Sequence, residues 1–239
     1  MSTQAHDAVV VGATDLGESD RLVHLLTPDL GRLSVVARRA RASKRRFGGV
    51  LDPGTRLTVQ VSRRRSGLPV LDQADRRGGP DVARTDYDRI ALLGYGCELC
   101  AGLAPEEARA AKLFRLLEVW LELLEGPVRP GQAARLALEA KALTFAGLTP
   151  ALAHCAACGA PIDDPATFDA EGGGAHHARC GAGASIGAAQ LVELEALRRT
   201  PLAEVVSHRL SLDRPWLLSD AVQHQLGRQL ASRALLEIG

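Results

Sequence analysis

The chain has 239 residues, of which 46% are hydrophobic and 24% charged, and its formal net charge is +1. This length suffices for one large domain or two to three small ones, and the apolar fraction is too high for an intrinsically disordered chain. No apolar run approaches the roughly 20 residues that cross a bilayer, and no signal-peptide core follows Met1, so we expect a cytoplasmic protein without a membrane partner.

The first 77 residues have the pattern of a small β-barrel. Pro28 and Gly31 mark a turn between two apolar runs, and residues 55–62 alternate between apolar and polar side chains. Five short strands are predicted, at 7–12, 21–27, 32–38, 55–62 and 68–71. Five strands in fewer than 80 residues favour a closed barrel over an open sheet.

The net charge of +1 hides an uneven distribution along the chain. Residues 1–77 carry 14 Lys and Arg against 8 Asp and Glu, whereas residues 78–239 carry 15 against 20. Between Arg32 and Arg65 there are 11 basic residues and a single acid, Asp52. Such a segment predicts a surface that binds a polyanion, and the planar guanidinium fork suits phosphate.

The predicted DNA contacts come from the loop after the third strand and from the hairpin after the fourth. They are Arg38, Arg39, Arg41, Lys44, Arg45, Arg46, Arg63, Arg64 and Arg65. A solvated hairpin tip is the alternative for residues 63–65, and a preference for Arg codons explains Arg over Lys but not the missing acids.

Beyond Gly79 the pattern becomes helical. Helices are predicted at 81–103, 105–125, 131–148, 188–199 and 220–237, the second beginning at Pro105 with Glu106 and Glu107 in its first turn. We therefore expect an α+β protein in four parts: a barrel (1–77), a helical domain (78–150 and 185–239) and an insertion (151–184).

The insertion contains two matched metal-binding motifs. Cys155 and Cys158 are followed by glycine, and 18 residues later His177 and Cys180 repeat the two-residue spacer and the trailing glycine. Three thiolates and one imidazole form a closed tetrahedral set, which predicts one structural Zn²⁺ rather than a catalytic metal. His176 is the alternative fourth ligand, with three residues between it and Cys180 rather than two.

No catalytic motif was found. The chain has no phosphate-binding Gly-x-x-x-x-Gly-Lys-Ser/Thr loop, and no nucleophile–base set can be argued from it. Cys97 and Cys100 lie in an apolar helical stretch without a partner pair, which favours buried thiols over a redox pair. We therefore expect a protein that is not an enzyme.

Five segments are distinctive when taken in order. Gly-Glu-Ser-Asp-Arg-Leu at 17–22 precedes Gly-Arg-Leu-Ser-Val-Val-Ala-Arg at 31–38, and Arg-Arg-Phe-Gly-Gly-Val-Leu-Asp-Pro follows at 45–53. Ala-Gly-Leu-Thr-Pro at 146–150 leads into the first cysteine pair, and Gln-Leu-Gly-Arg-Gln-Leu-Ala-Ser-Arg stands at 225–233. Together these segments resemble the bacterial RecO family of DNA repair and recombination proteins.

The resemblance implies an N-terminal OB-fold, a helical domain and a zinc-binding insertion. It also implies binding of single- and double-stranded DNA, annealing of complementary strands, and help in loading RecA onto DNA coated by single-strand-binding protein. The implied protein partners are RecR, often RecF, and the C-terminal tail of single-strand-binding protein.

Two features depart from the family pattern. His177 stands where the family commonly has cysteine, and Phe47 is the single aromatic residue in 1–77. Binding should therefore depend on charge more than on base stacking, with Phe47 anchoring the basic loop to the barrel.

Two other classes of function stay open: a zinc-ribbon adaptor that acts through protein contacts, and a metal-dependent nucleic-acid enzyme, which would need carboxylates near the basic surface.

Overall fold

The computed structural model describes residues 5–41, 47–63, 66–210 and 212–237. Five of the predicted DNA contacts lie outside these ranges: Lys44, Arg45, Arg46, Arg64 and Arg65. The chain divides into two compact units, one running to Glu125 and including the C-terminal segment from Ser232, the other spanning Gly126–Ala231.

The N-terminal part is a closed five-stranded barrel, which confirms the predicted architecture. Around the barrel the strands follow the order β1-β2-β3-β5-β4, and all neighbours are antiparallel except β3 and β5. The strands are β1 (Ala5–Leu16), β2 (Asp20–Thr27), β3 (Gly31–Ala37), β4 (Arg56–Ser62) and β5 (Val70–Gly78).

Alternating side chains fill the barrel. In β3, Leu33, Val35 and Ala37 are buried while the residues between them are half-buried. The turn before β3 requires glycine, because Gly31 has φ +60° and a Cβ there would lie 2.2 Å from the Pro105 carbonyl oxygen. The predicted hairpin turn at 28–31 is thus confirmed, with a packing reason that the sequence did not show.

Six α-helices follow the barrel in the described residues. They are α1 (Tyr87–Leu103), α2 (Ala111–Glu125), α3 (Gln132–Phe145), α4 (Ala188–Arg199), α5 (Leu217–Leu226) and α6 (Arg233–Glu237). Asp86 caps α1 by accepting a hydrogen bond from the Arg89 amide. Helix α2 packs on α1 through the fully buried Trp120, whose Nε1 donates to the Leu92 carbonyl at 3.0 Å.

The predicted helix start at Pro105 is wrong, because α2 begins at Ala111. The preceding segment runs along the β2–β3 turn, where the Arg32 amide donates to the Pro105 carbonyl at 2.9 Å and the Ala110 amide donates to the Pro28 carbonyl at 3.0 Å. These hydrogen bonds to the β2–β3 turn take the place of the intrahelical hydrogen bonds that a helix beginning at Pro105 would have formed.

The single C-terminal helix predicted at 220–237 is also wrong. Gly227, in the left-handed conformation at φ +62°, ends α5, and α6 begins only at Arg233. Ser232 then joins the first unit, since its amide and hydroxyl both donate to one Glu98 carboxylate oxygen, at 2.9 and 2.6 Å.

The second unit contains α3, α4, α5 and a small antiparallel sheet of order β7-β6-β8. Its strands lie largely within the predicted insertion, at β6 (Ala166–Asp169), β7 (Gly174–His177) and β8 (Ala184–Ile186). On α3 the buried Arg135 pairs with Glu139 at 2.5 Å and lies 4.0 Å from the Trp216 ring centroid. Strands of three or four residues left too short a pattern to predict.

Candidate metal centre and nucleic-acid interface

The barrel brings its two basic segments to neighbouring positions. Val70 of β5 pairs with Val36 of β3 on one side and with Ser62 of β4 on the other. Because adjacent strands lie about 4.8 Å apart, the ends of β3 and β4 are close together on the barrel surface. Arg38 directly follows the last residue of β3, and Arg63 directly follows the last residue of β4.

The β1–β2 turn holds the start of the basic loop. The Arg39 amide donates to Asp20 Oδ1 at 2.8 Å, and the Arg41 amide donates to the Ser19 carbonyl at 3.1 Å. The hydrogen bond from the Arg39 amide lowers the pKa of the Asp20 carboxyl. Arg39 itself has φ +55°, a conformation that non-glycine residues rarely adopt, so these bonds fix an otherwise unfavourable turn.

The other end of the loop is held by the barrel core. Phe47 is 3% exposed and packs in the same cluster as Leu51 and the inward side chains of the strands. This confirms the expectation that Phe47 anchors the loop. A basic segment tied down at both ends loses less entropy on binding than a free one.

The four described arginines of the predicted interface fall into two pairs. Arg38 and Arg39 are exposed, and within the described residues neither guanidinium forms an ion pair with a carboxylate. Arg41 lies 3.4 Å from Asp15 and donates to the Gly17 carbonyl, while Arg63 lies 3.1 Å from Glu107.

Sequence reasoning missed a further arginine on this surface. Arg32 lies 2.6 Å from Glu106, the residue before Glu107. The Arg32–Glu106 and Arg63–Glu107 ion pairs join residues that are 74 and 44 positions apart in the chain. No local sequence pattern could therefore predict them. Asp52, the lone acid of the basic segment, lies 3.9 Å from Arg21 and 3.5 Å from Arg84.

The two motifs of the insertion meet in space. Cys155, Cys158, His177 and Cys180 each present one ligand atom, and these four atoms all lie within 4.8 Å of one another. The first pair is held by a turn in which the Gly159 amide donates to the Cys155 carbonyl, with Gly159 at φ +74°. The second turn forms where the Cys180 amide donates to the His177 carbonyl at 2.8 Å.

The distances match a tetrahedral metal site. His177 Nδ1 lies 3.5 Å from Cys158 Sγ and 3.7 Å from Cys180 Sγ. In a tetrahedron with metal–sulfur bonds of about 2.3 Å and a metal–nitrogen bond of about 2.0 Å, the sulfur–nitrogen separation is about 3.5 Å. The group could therefore hold one metal ion.

Strand β7 separates the two histidines that compete for the fourth position. Adjacent residues of a strand point to opposite faces, so His176 and His177 cannot both face the thiols. His176 Nδ1 donates instead to the Gly174 carbonyl at 3.1 Å, and His176 does not belong to the cluster of ligand atoms.

The thiols of the cluster differ in acidity. Burial raises the pKa of Cys155, but hydrogen bonds from the backbone amides of Cys158, His177 and Ala157 outweigh it and lower the pKa to about 6. Burial and the neighbouring Cys158 raise the pKa of Cys180. A Cys155 thiolate at neutral pH is a ready metal ligand.

Cys97 and Cys100 form a contrast to the cluster. Both are buried in α1, and burial raises the pKa of Cys97 to about 12 and that of Cys100 as well. Thiols of this kind stay protonated and unreactive, which confirms the expectation of buried structural cysteines.

None of the helices among the described residues has the length and apolar character needed to cross a membrane.

Two family models match the chain: "Recombination protein O N terminal" over residues 1–78 and "Recombination protein O C terminal" over residues 84–234.

Full-length relatives agree with these matches. The chain is 43% identical to a "DNA repair protein RecO" of Anaeromyxobacter sp. (strain K) over 244 aligned positions, covering 97% of this chain and 95% of the relative. It is 39% identical to that of Myxococcus xanthus, covering 95% and 93%, and 36% identical to that of Geobacter metallireducens, covering 99% and 98%. Two family models that together span most of the chain, and relatives 36–43% identical over nearly its full length, show that this chain belongs to the RecO family of DNA repair proteins.

Proposed function

We propose that this chain is a DNA-binding recombination mediator. It anneals complementary single strands and assists the loading of RecA onto DNA coated by single-strand-binding protein. The observation that carries the proposal is the pair of exposed arginines, Arg38 and Arg39, on a loop tied to the β1–β2 turn and to the barrel core.

The chemistry is electrostatic. Guanidinium groups that contact phosphates release the counterions of DNA, and they reduce the repulsion between two strands held side by side. The remaining predicted contacts, Lys44, Arg45, Arg46, Arg64 and Arg65, belong to the same two basic segments and extend the proposed surface. Stacking on aromatic rings contributes little, because the barrel's single aromatic side chain is buried.

We further propose that the metal ion is Zn²⁺, held by Cys155, Cys158, His177 and Cys180. Three thiolates and an imidazole favour Zn²⁺ over the hard cations, which prefer oxygen ligands. A closed four-ligand site leaves no position for substrate, so the metal supports the fold and the protein acts as a mediator rather than as an enzyme.

The proposed partners follow from the family and not from a surface identified in the structure. They are single- and double-stranded DNA, RecR, RecF in some pathways, and the C-terminal tail of single-strand-binding protein. We propose a cytoplasmic, nucleoid-associated location, and DNA binding by residues 1–77.

A strand-annealing assay tests the proposal. The double variant Arg38→Ala/Arg39→Ala should anneal complementary oligonucleotides at least tenfold more slowly than the unaltered chain, and an Arg45→Ala/Arg46→Ala variant examines the rest of the loop. Arg115→Ala is the matched control, because Arg115 is an exposed arginine of the same unit that already pairs with Glu118.

The salt dependence of binding gives a second readout. If about six phosphates are contacted, the affinity for single-stranded DNA should fall with a log–log slope near −4, and each lost contact should make the slope shallower by about 0.7. Equal annealing rates and slopes for all variants would favour the adaptor, which needs no basic DNA surface.

A further inference from the structure

The imidazole of His177 makes contacts on both of its sides. Its Nδ1 faces the thiols, while its Nε2 lies 3.0 Å from the Pro161 carbonyl oxygen and 3.2 Å from Asp163 Oδ1. The ring is 2% exposed, whereas the Asp163 side chain is 68% exposed at the edge of the site. The ring is therefore held between sulfur atoms on one side and two oxygen acceptors on the other.

These contacts determine which nitrogen carries the proton. A carbonyl oxygen only accepts hydrogen bonds, so the bond to Pro161 requires a hydrogen on Nε2. A neutral imidazole then has its lone pair on Nδ1, the atom that lies at the sulfur–nitrogen separation of a tetrahedral site.

We propose that Asp163, together with the Pro161 carbonyl, positions His177 as an Nδ1 ligand and strengthens it as a donor. A carboxylate that accepts the far N–H of a ligating histidine orients the ring and increases the basicity of the other nitrogen. Asp163 is thus a positioning residue for the metal centre, and it acts only through His177.

The local chain explains why this support is available. Pro161 pairs with His154 in an isolated β-bridge, which brings the segment after the first motif back across the site. Cys155 belongs to the same small loop, since its amide donates to the Ala160 carbonyl at 2.9 Å. A cysteine at position 177 would have no second nitrogen, so the carboxylate matters only because a histidine stands there.

Metal affinity of the full-length chain tests the proposal, which rests on the proposed metal site. Zn²⁺ is titrated against a chromophoric chelator for the unaltered chain and for Asp163→Ala and Asp163→Asn. We expect Asp163→Ala to weaken Zn²⁺ binding about tenfold, and Asp163→Asn to weaken it less, because an amide oxygen can still accept the Nε2 hydrogen.

The matched control is Glu171→Gln, which removes one negative charge from an exposed residue of the same insertion. In a His177→Cys background, Asp163→Ala should have no effect beyond that of the control, since its route through the imidazole is gone. Nitrogen NMR of the Zn²⁺-loaded chain should show Nδ1 bound to metal and a protonated Nε2, and that proton should exchange faster in Asp163→Ala.

Three results would overturn the inference. They are a metal-bound Nε2, equal Zn²⁺ affinity in Asp163→Ala and Glu171→Gln, and an undiminished Asp163→Ala effect in the His177→Cys background. A chain that binds no Zn²⁺ at all would overturn the metal proposal itself, whereas the DNA proposal is tested separately by the annealing assay.

Discussion

The described arginines of the basic surface differ in whether a carboxylate already pairs with the guanidinium group. Arg38 and Arg39 face solvent, whereas Arg63 and Arg32 are paired with the adjacent acids Glu107 and Glu106. Glu107 has φ +51°, so its backbone is held in a costly conformation beside Arg63. In the proposed DNA complex, Arg38 and Arg39 can meet phosphate directly, whereas Arg32 and Arg63 must first leave a carboxylate.

The substitution Glu107→Gln should strengthen binding of single-stranded DNA about 1.4- to fivefold, because an exposed ion pair worth about 0.2–1 kcal/mol no longer competes with phosphate. Fluorescence anisotropy with a labelled oligonucleotide measures the change. Glu118→Gln on α2 is the control for the loss of one negative charge, and an equal gain in that variant would contradict the competition between Glu107 and DNA.

At the scale of elements, the sequence patterns correctly predicted those features whose interacting residues are close together in the chain. The alternation in β4, the turn at Gly31 and the paired spacing of Cys155–Cys158 and His177–Cys180 are all local, and each has its counterpart in the structure. The segment before α2 was mispredicted because its hydrogen-bond partners are some 70 residues away. The ion pairs of the basic surface were missed for the same reason.

Gly31, at the start of β3, lies so close to the segment before α2 that an added Cβ would be 2.2 Å from the Pro105 carbonyl oxygen. Gly31→Ala should lower the free energy of unfolding by more than about 2 kcal/mol, because strain at positive φ adds to a collision with the Pro105 carbonyl. Gly17→Ala is the control: Gly17 has φ +65° but nothing within 4 Å of an added Cβ, so it should lose only about 1 kcal/mol. Urea unfolding measures both, and equal losses would show that the contact does not matter.

The C-terminal end of α4 predicts a dependence of stability on acid. Hydrogen bonds from the Arg198 guanidinium, and then from Arg199, lower the pKa of the buried Glu195 carboxyl. A carboxyl with a lowered pKa in the folded state stabilises the fold fully above its ordinary value of 4.5, and loses that effect as the pH falls through the folded-state value. Urea unfolding between pH 6 and 3 should therefore show a smaller loss for Glu195→Gln than for the unaltered chain, and parallel losses would refute the role of Glu195.

At the scale of the whole molecule, the N-terminal half of the chain and its C-terminal segment from Ser232 belong to one compact unit, and the residues between them form another. The barrel, α1, α2 and α6 form the first unit, which draws residues from both matched family segments, and Gly126–Ala231 forms the second. The net charge of +1 is the sum of a basic segment within the first unit and an acidic remainder of the chain.

Removing the proposed Zn²⁺ should therefore affect the second unit selectively, because all four candidate ligands lie in Gly126–Ala231. A chelator is expected to increase hydrogen exchange in residues 151–186, since the proposed Zn²⁺ joins the two ligand pairs of this segment, while strands β1–β5 keep their protection. Hydrogen exchange followed by mass spectrometry measures this. Loss of protection throughout the barrel would contradict the independence of the two units.

The segment before α2 has one more effect, on the edge of the barrel. Among the residues that the structure describes, strand β3 pairs with β5 only at Val36, and the bridges from Gly31 and Arg32 to Glu106 occupy part of the strand edge that would otherwise be open. Open strand edges invite pairing with another chain. A fragment ending at residue 78 would expose this edge and should self-associate, whereas one that continues through α2 would keep it covered.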